Sequence, residues 1–204
     1  YACLAVYDVI ALHHIGKALP LPVALGGGLM AYAFGNTIGL TAITGGAVRW
    51  RVYGGLGLDG YDIAAISTFS AVSFGLAVTA LGLFALVWQP TALAPVWALA
   101  PAVVQGVAAT LLLALVAVLV WAARRGHTLR LGRFALRAPT LPVLGAQFLV
   151  SLGDIGFSAL TLYLLLPASD VGFVMFLAVF AVAVMAGVLS HVPGGIGVFE
   201  TVVI

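Results

Sequence analysis

The sequence predicts an all-α, polytopic integral membrane protein, a helix bundle with broken or re-entrant glycine-rich helices, and three observations support this fold class. Hydrophobic residues make up 64% of the 204 residues and charged residues only 7%, and the mean hydropathy is +1.24. A soluble domain carries about 25% charged residues, so lipid must solvate most of this chain. Several apolar runs reach the roughly 20 residues that a bilayer core requires. Glycines and prolines interrupt some of these runs.

We interpret residues 1–204 as one transmembrane domain, and as a piece of a longer protein because the chain begins and ends inside apolar runs. Pro20 and Pro22 end the first span, and Gln89 with Pro90 ends the third, because proline cannot continue a helix. The predicted spans cover residues 1–12, 23–46, 62–88, 101–123, 141–166 and 171–189, with a further helix starting near residue 197.

The basic residues predict the orientation of these spans. Five arginines share the loop that follows the fourth span: Arg124, Arg125, Arg130, Arg133 and Arg137. Such an excess of positive charge marks a cytoplasmic loop, and its simplest role is to set the topology. Counting back two spans places Arg49 and Arg51 on the same side and Lys17 on the opposite side.

The segment from Ser190 to Glu200 interrupts the most apolar part of the chain. Pro193 removes an amide donor, and Gly194, Gly195 and Gly197 stabilise a helix poorly, so the helix should break here. Non-helical backbone within a membrane is tolerated where protein or a wet cavity surrounds it. Glu200 would then lie in the first turn of the next helix, whose dipole favours a carboxylate. A broken helix that carries a charge is typical of a transporter's substrate site.

The fifth span carries a row of polar residues. Spacings of four, three, four and three place them on one helical face: Gln147, Ser151, Asp154, Ser158 and Thr161. A carboxylate at the depth of Asp154 costs at least about 2.5 kcal/mol, which favours a functional role for it. The alternative, a hydrogen-bonded seam between helices, suits Ser158 and Thr161 better.

Two other charged positions stand out near the first two spans. Asp8 lies within the first apolar run, and its alternative role is that of an interfacial residue that reaches water. Arg49 follows a polar, glycine-interrupted stretch that resembles the broken segment near Glu200 in outline, and paired interrupted segments point to a transport site. Arg51 is better explained as an interfacial anchor, with Trp50 and Tyr53 in an aromatic belt.

Acidic residues also mark the start of the third span. Asp59 and Asp62 fit the cap and the first turn of that helix.

Composition and motifs exclude several kinds of chemistry. The single cysteine, Cys3, has no disulfide or metal-ligand partner, and no nucleotide loop, zinc spacing or nucleophile elbow is present. A net charge of +2 without an aromatic basic patch gives no indication of nucleic-acid binding. We therefore expect no cofactor and no metal. Three carboxylates with one or two arginines suit a ligand that carries both ammonium groups and a phosphate, and a protein that moves this ligand.

Three runs resemble the flippase region of the bacterial multiple peptide resistance factor, the lysylphosphatidylglycerol synthetase/flippase family. They are Tyr7 to Pro20, Asn36 to Tyr53 with its Gly45-Gly46-Ala47-Val48-Arg49-Trp50-Arg51 stretch, and Ser190-His191-Val192-Pro193-Gly194-Gly195-Ile196-Gly197-Val198-Phe199-Glu200. The resemblance implies movement of aminoacylated phosphatidylglycerol from the inner to the outer leaflet of the bacterial plasma membrane. There the lipid lowers the negative surface charge that attracts cationic antimicrobial peptides.

The resemblance also implies which residues serve flipping. In the family, acidic residues that match Asp8, Asp154 and Glu200 and an arginine that matches Arg49 are associated with translocation. The expected substrate site thus comprises Asp8, Arg49, Arg51, Asp154, Gly194, Gly195 and Glu200. The segment itself is expected to be a transporter and not an enzyme. The parent protein would be a phosphatidylglycerol lysyltransferase-type aminoacyltransferase, with its cytoplasmic synthetase domain outside these residues. The sequence leaves open whether the protein forms homo-oligomers.

Three alternatives remain open from the sequence. A related group of membrane proteins has the transmembrane region without the synthetase domain and would transport another lipid or a small solute. An ion-coupled solute transporter could use the same carboxylates. A passive scaffold would instead dock a cytoplasmic enzyme through the loop from Arg124 to Arg137.

Overall fold

The computed structural model describes residues 2–38, 41–93, 100–126, 128–131, 134–166, 171–190 and Gly197. Within these residues the chain is helical, which confirms the predicted all-α polytopic membrane fold. The helices are α1 (Ala2–His14), α2 (Leu21–Ile38), α3 (Thr41–Tyr53), α4 (Gly60–Trp88), α5 (Pro101–Arg125), α6 (Leu141–Leu165) and α7 (Phe173–Ser190), with short 3-10 turns at Gly54–Leu56 and Pro90–Leu93. Three of them, α4, α5 and α6, are long and apolar enough to cross a membrane.

The chain folds into two compact units. Unit 1 contains Tyr1–Phe74 and Val120–Ser151, and unit 2 contains Gly75–Leu119 and Leu152–Ile204. Each of the three long helices therefore begins in one unit and ends in the other. All eight lysines and arginines of the sequence fall within the ranges of unit 1, so the positive charge is confined to that unit.

The predicted second span, residues 23–46, is divided between two helices in the structure. α2 ends at Ile38 and α3 begins at Thr41. The two helices are antiparallel, because the hydroxyl of Tyr53 at the end of α3 lies 2.9 Å from the carbonyl oxygen of Ala24 near the start of α2. At 13 residues, α3 is about 20 Å long, so this pair is a helical hairpin that returns towards the side where α2 began.

The hairpin changes the predicted orientation of Lys17. The Lys17 ammonium forms a 2.8 Å salt bridge with Asp62 in the first turn of α4. The ends of α1 and α3 and the start of α4 also share one apolar cluster, which contains Leu12, Tyr53 and Ile63. The prediction that Lys17 lies on the side opposite Arg51 is therefore wrong. The error arose because α2 and α3 were counted as one span, and each additional helix reverses the direction of the chain.

The basic loop after α5 contains a two-stranded hairpin. Strand β1 (Thr128–Leu131) pairs antiparallel with β2 (Phe134–Arg137), and Thr128 lies opposite Arg137. Two residues separate the strands, which is the commonest length of a hairpin connection. This short hairpin is the one sheet that the described residues show.

In unit 2, the second half of α4 packs against α7. A methyl group at Gly82 would lie 2.9 Å from the Cβ of Met185, and one at Gly75 would lie 3.9 Å from Val188. Small residues allow this close approach of helices in a membrane. α7 ends at Ser190, directly before the proline and glycine segment, and Gly197 has a left-handed backbone with φ of +85°.

Candidate functional site

A buried ion pair joins α1 to α3. The Asp8 side chain is fully buried and Arg49 is 3% exposed. Arg49 Nη2 donates to Asp8 Oδ1 at 2.6 Å and Arg49 Nε donates to Oδ2 at 2.8 Å, so the contact is bidentate. The third guanidinium nitrogen, Nη1, lies 3.4 Å from Ser67 Oγ on α4. Charge-assisted, two-point contacts of this kind are among the strongest hydrogen bonds in proteins.

Two tyrosines complete the surroundings of the pair. The Tyr53 hydroxyl lies 2.8 Å from Asp8 Oδ2, and the Arg49 guanidinium carbon lies 5.2 Å from the centroid of the Tyr32 ring, which is within cation–π range. Tyr53 is fully buried, so the alternative that placed it in an aromatic belt is wrong, whereas Trp50 on the same helix is 55% exposed. The reason is helical spacing, because Tyr53 lies four residues after Arg49 and shares its buried face.

Three glycines make room for this arrangement. A methyl group at Gly27 would lie 2.6 Å from the Tyr53 hydroxyl oxygen, and one at Gly28 would lie 2.9 Å from the carbonyl oxygen of Ala5. A methyl group at Gly45 would lie 3.2 Å from Arg49 Nη1. The glycine-rich composition of α2 and α3 therefore serves close packing around the ion pair, and this role was not evident from the sequence.

The ion pair satisfies its own charges in this structure. Each Asp8 oxygen accepts a bond from Arg49, and the ring of Tyr32 covers the guanidinium. A buried pair of this kind gains little net stability, yet removal of one partner leaves a buried charge and costs about 3–5 kcal/mol. A ligand that carries both charges can replace the pair by giving each residue a new partner. Chemically, the site suits exchange of an internal ion pair for a zwitterionic headgroup.

A groove leads towards this pair from the surface of unit 1. It has a volume of ≈ 570 Å³, lies between α3 and α4, and is bordered by Trp50, Gly60 and Val72. Ser67, which contacts Arg49, also lines it. The remaining lining is mostly apolar, so the groove combines a surface that suits an acyl chain with one polar group beside the ion pair.

The polar face predicted for α6 is buried only at its beginning. Gln147 is 2% exposed and Ser151 is fully buried, both in unit 1. Asp154 belongs to unit 2 and is partly exposed, while Ser158 and Thr161 are exposed. The expectation of one continuous buried polar face is therefore wrong. Spacings of four residues carry the buried face on to Ile155 and Ala159, and Thr161 donates its hydroxyl to the carbonyl oxygen of Phe157.

The structure brings two of the predicted site residues together. Asp8 and Arg49 are in contact, whereas Arg51 is exposed at the end of α3. Gly194, Gly195 and Glu200, together with His191, lie outside the described residues. Within the described part of the chain, no group of three histidines, cysteines or carboxylates is placed to hold a metal.

Sequence reasoning missed the three tyrosines of the site, Tyr7, Tyr32 and Tyr53. Tyr7 is fully buried, and its hydroxyl hydrogen-bonds the hydroxyl of Ser151 on α6. A signal was available for Tyr53, because it shares a helical face with Arg49. The position of Tyr7 beside Asp8 gave no comparable signal, since neighbouring residues on a helix point in different directions.

The start of α4 is capped as predicted. The Asp62 amide donates to Asp59 Oδ1 at 2.9 Å, and the Asp59 amide donates to Asp62 Oδ2 at 3.2 Å. This reciprocal contact has the form of a capping box. The hydrogen bond and the charge of Asp62 raise the pKa of Lys17, so Lys17 is a cation at the pH of any cell.

The chain is similar to other proteins over its whole length. The family model for the lysylphosphatidylglycerol synthase TM region matches residues 4–204. An uncharacterized protein of Synechocystis sp., slr0712, is 31% identical over 212 residues, which are 100% of this chain and 64% of the relative. The inner membrane protein YbhN of Escherichia coli is 29% identical over 208 residues, which are 100% of this chain and 63% of that protein. The chain thus spans somewhat less than two thirds of either relative. Because the family model covers nearly every residue, this chain belongs to the family of the lysylphosphatidylglycerol synthase transmembrane region.

Proposed function

We propose that this chain forms the membrane part of a lipid flippase that moves aminoacylated phosphatidylglycerol, of the lysyl or alanyl type, from the inner to the outer leaflet of the bacterial plasma membrane. The parent protein would be a bifunctional synthetase/flippase, and its product would give resistance to cationic antimicrobial peptides. The family supports a connection with this lipid. The observation that carries the proposal is the buried pair of Asp8 and Arg49 within apolar helices.

The chemistry of the pair matches the chemistry of the lipid headgroup. Aminoacylated phosphatidylglycerol carries a phosphate and at least one ammonium group. The planar guanidinium of Arg49 suits the phosphate, and the carboxylate of Asp8 suits the ammonium. The groove between α3 and α4 suits an acyl chain while the headgroup lies near Ser67 and Arg49. Asp154 and Glu200 would offer further carboxylates to the ammonium, with Gly194 and Gly195 loosening the helix beside Glu200.

The cost of separating Asp8 from Arg49 explains why the ion pair would open only when a lipid headgroup replaces its contacts. Opening the pair without a ligand leaves two uncompensated charges in an apolar interior, which costs several kcal/mol. A headgroup that supplies the opposite charges removes most of that cost. The site would therefore bind a zwitterionic headgroup best, and lipids that offer only a phosphate to Arg49 would bind more weakly and cross more slowly.

A proteoliposome assay tests this proposal. The full-length protein would be reconstituted with a fluorescent lysyl-phosphatidylglycerol, and an impermeant quencher would report how fast inner-leaflet lipid reaches the outside. We expect Arg49→Ala and Glu200→Ala to abolish this movement, while Arg51→Ala, at an exposed position, retains most of it. Normal movement in both of the first two variants would refute the proposal.

A second candidate function is transport of another lipid or a small solute by a protein without a synthetase domain. The relatives favour it through their size. The 212 matched residues are 64% of the Synechocystis protein, which is therefore about 330 residues long, with about 120 outside the match. Several further spans of roughly 20 residues each would occupy that length. The same proteoliposomes distinguish the candidates, because this one predicts no preference for the lysyl headgroup over other phospholipids.

A further inference from the structure

We propose that unit 1 contains a second recognition site, for the uncharged, hydroxyl-bearing part of a phospholipid headgroup. The site is formed around Tyr7 by Tyr32, Ser70, Gln147 and Ser151. The inference rests on the proposed function, because this second site would recognise a part of the same lipid headgroup that binds the ion pair. It adds residues that neither the charge pattern nor the family resemblance selects.

Helices α2, α4 and α6 converge on the fully buried side chain of Tyr7. Its ring lies 6.1 Å from the ring of Tyr32 on α2 and 6.0 Å from the ring of Phe74 on α4, measured between centroids. Its hydroxyl hydrogen-bonds Ser151 on α6. Tyr7 is thus the centre of a layer of side chains next to Asp8, its neighbour in the sequence.

Buried polar atoms that lack a well-formed hydrogen bond lie on the three helices that meet at Tyr7. Among the described residues, the hydroxyls of Tyr32 and Ser70 and both polar atoms of the Gln147 side chain are buried without a hydrogen bond. Ser70 lies one turn before Phe74 on α4, and Gln147 lies one turn before Ser151 on α6, so each shares a face with a residue that contacts Tyr7. The Tyr32 and Ser70 hydroxyls are close enough to influence each other, which places both at the same side of the layer.

These unpaired atoms specify the chemistry of the missing partner. Buried polar groups in folded proteins are nearly always hydrogen-bonded, and an unpaired one is costly. A carboxamide offers both donors and an acceptor, and a hydroxyl can act either way. Their common partner is a group that both donates and accepts while carrying no charge, which describes a hydroxyl better than an ammonium or a phosphate.

The position of the site connects it to the ion pair. The Tyr32 ring contacts the Arg49 guanidinium, with 5.2 Å between the guanidinium carbon and the ring centroid. The same ring belongs to the layer around Tyr7. A headgroup whose phosphate binds Arg49 would therefore place its next few atoms near Tyr32. In phosphatidylglycerol those atoms are the glycerol carbons with their hydroxyls.

Two lipids that differ only in these hydroxyls test the proposal. Phosphatidylpropanol has the charge and length of phosphatidylglycerol but lacks both headgroup hydroxyls. Binding of each lipid to the delipidated full-length protein would be measured by native mass spectrometry. We expect the unmodified protein to bind phosphatidylglycerol at least about tenfold more tightly than phosphatidylpropanol, which corresponds to about one well-made hydrogen bond.

Variants connect this preference to the proposed residues. Gln147→Leu should bind both lipids equally, at the level of phosphatidylpropanol, and Ser70→Ala should reduce the preference in the same direction. The matched control is Gln105→Leu, because Gln105 lies on α5 in unit 2 and donates to the carbonyl oxygen of Val87. Since leucine removes two unpaired polar atoms at nearly constant volume, Gln147→Leu should fold and melt no lower than the unmodified protein.

Each outcome separates this inference from the proposed function. Equal binding of the two lipids by the unmodified protein would mean that water alone occupies the layer around Tyr7, and it would overturn the inference. An undiminished preference in Gln147→Leu would also overturn it. The double variant Asp8→Asn/Arg49→Gln should weaken both lipids alike. If that variant binds both lipids normally, the ion pair is not the headgroup site, whatever the hydroxyl preference shows.

Discussion

Asp8 and Arg49 neutralise each other inside an apolar unit, and each depends on the other to remain buried. Asp8 has no exposed surface, and the bidentate contact occupies both of its oxygens. The charges were visible in the sequence because charged residues are rare in apolar runs. Their pairing was not, because 41 residues and a helical hairpin separate them.

Breaking the pair on one side should destabilise the protein more than removing both charges. Asp8→Asn leaves the buried arginine without its counter-charge, and we expect a loss of about 3–5 kcal/mol in the free energy of unfolding. The double variant Asp8→Asn/Arg49→Gln should lose less than either single variant. Denaturant unfolding in mild detergent measures this, with Arg51→Gln as the control at an exposed arginine. A loss in the double variant equal to the sum of the two single losses would show that the two side chains are not energetically coupled.

The salt bridge of Lys17 with Asp62 should matter much less. The Lys17 side chain is 44% exposed, so water and salt screen the contact. Its raised pKa means that the contribution of the Lys17 charge is fully present below the ordinary lysine pKa while Asp62 is ionised, and is lost as the pH rises through the higher folded-state pKa. We therefore expect Lys17→Met to lower the melting temperature by less than Asp8→Asn does, equally at pH 6 and pH 8. A pH-dependent difference between those two values would contradict this assignment.

In the helical hairpin of α2 and α3, glycines determine how closely neighbouring helices pack. Two glycines of α2, only two residues apart, have opposite surroundings. A methyl group at Gly28 would lie 2.9 Å from the carbonyl oxygen of Ala5 and 3.1 Å from the Cβ of Asp8, whereas one at Gly26 would meet nothing within 4 Å. Gly28 thus sets how closely α1 approaches α2, and hence where Asp8 is held.

These two positions form a matched pair for mutation. Gly26→Ala should leave stability unchanged or raise it by up to about 1 kcal/mol, because alanine favours the helix. Gly28→Ala should lower the melting temperature, since backbone cannot yield as easily as a side chain. Thermal unfolding of both variants in the same detergent checks the prediction. If Gly28→Ala is as stable as Gly26→Ala, the close contact of α1 with α2 is not present in solution.

Sequence patterns predicted the long helices better than the short ones. The predicted spans 62–88, 101–123 and 141–166 correspond within two residues to α4, α5 and α6, because each is a long apolar run with clear ends. The hairpin was missed because the polar, glycine-rich stretch before Arg49 was interpreted as part of one span. The glycines of α2 and α3 approach Ala5, Ala31 and Tyr53 of other helices, and periodicity does not reveal such tertiary contacts.

At the scale of the whole molecule, the hairpin determines the topology. The sequence contains the charges that orient the protein, yet counting spans assigned Lys17 to the wrong side because α3 was not recognised. When α3 is counted as a separate helix, Lys17 and Arg51 lie on the same side. Lys17, Arg51 and the arginines after α5 all belong to unit 1. Helix α4, about 43 Å long at 29 residues, begins beside Lys17, which pairs with Asp62 in its first turn.

Cysteine accessibility tests this topology. In a background where Cys3 and any cysteine elsewhere in the full-length protein are replaced by alanine, Lys17→Cys, Leu56→Cys and Arg125→Cys should react with an impermeant maleimide only after the cytoplasmic side is opened. Thr91→Cys, beyond the far end of α4, should react in intact cells. In the same assay, opposite accessibility of Lys17→Cys and Leu56→Cys would contradict the hairpin of α2 and α3, because it would put an odd number of crossings between them.

The most direct test of the account is the rate of lysyl-phosphatidylglycerol movement catalysed by Asp8→Asn/Arg49→Gln in proteoliposomes. If the pair serves the lipid headgroup, this variant stays folded, because no charge is left unpaired, yet moves the lipid no faster than empty vesicles do. If the pair only holds α1 to α3, the same folded variant moves the lipid at the rate of the unmodified protein, and the proposal of a headgroup exchanged at Asp8 and Arg49 is contradicted.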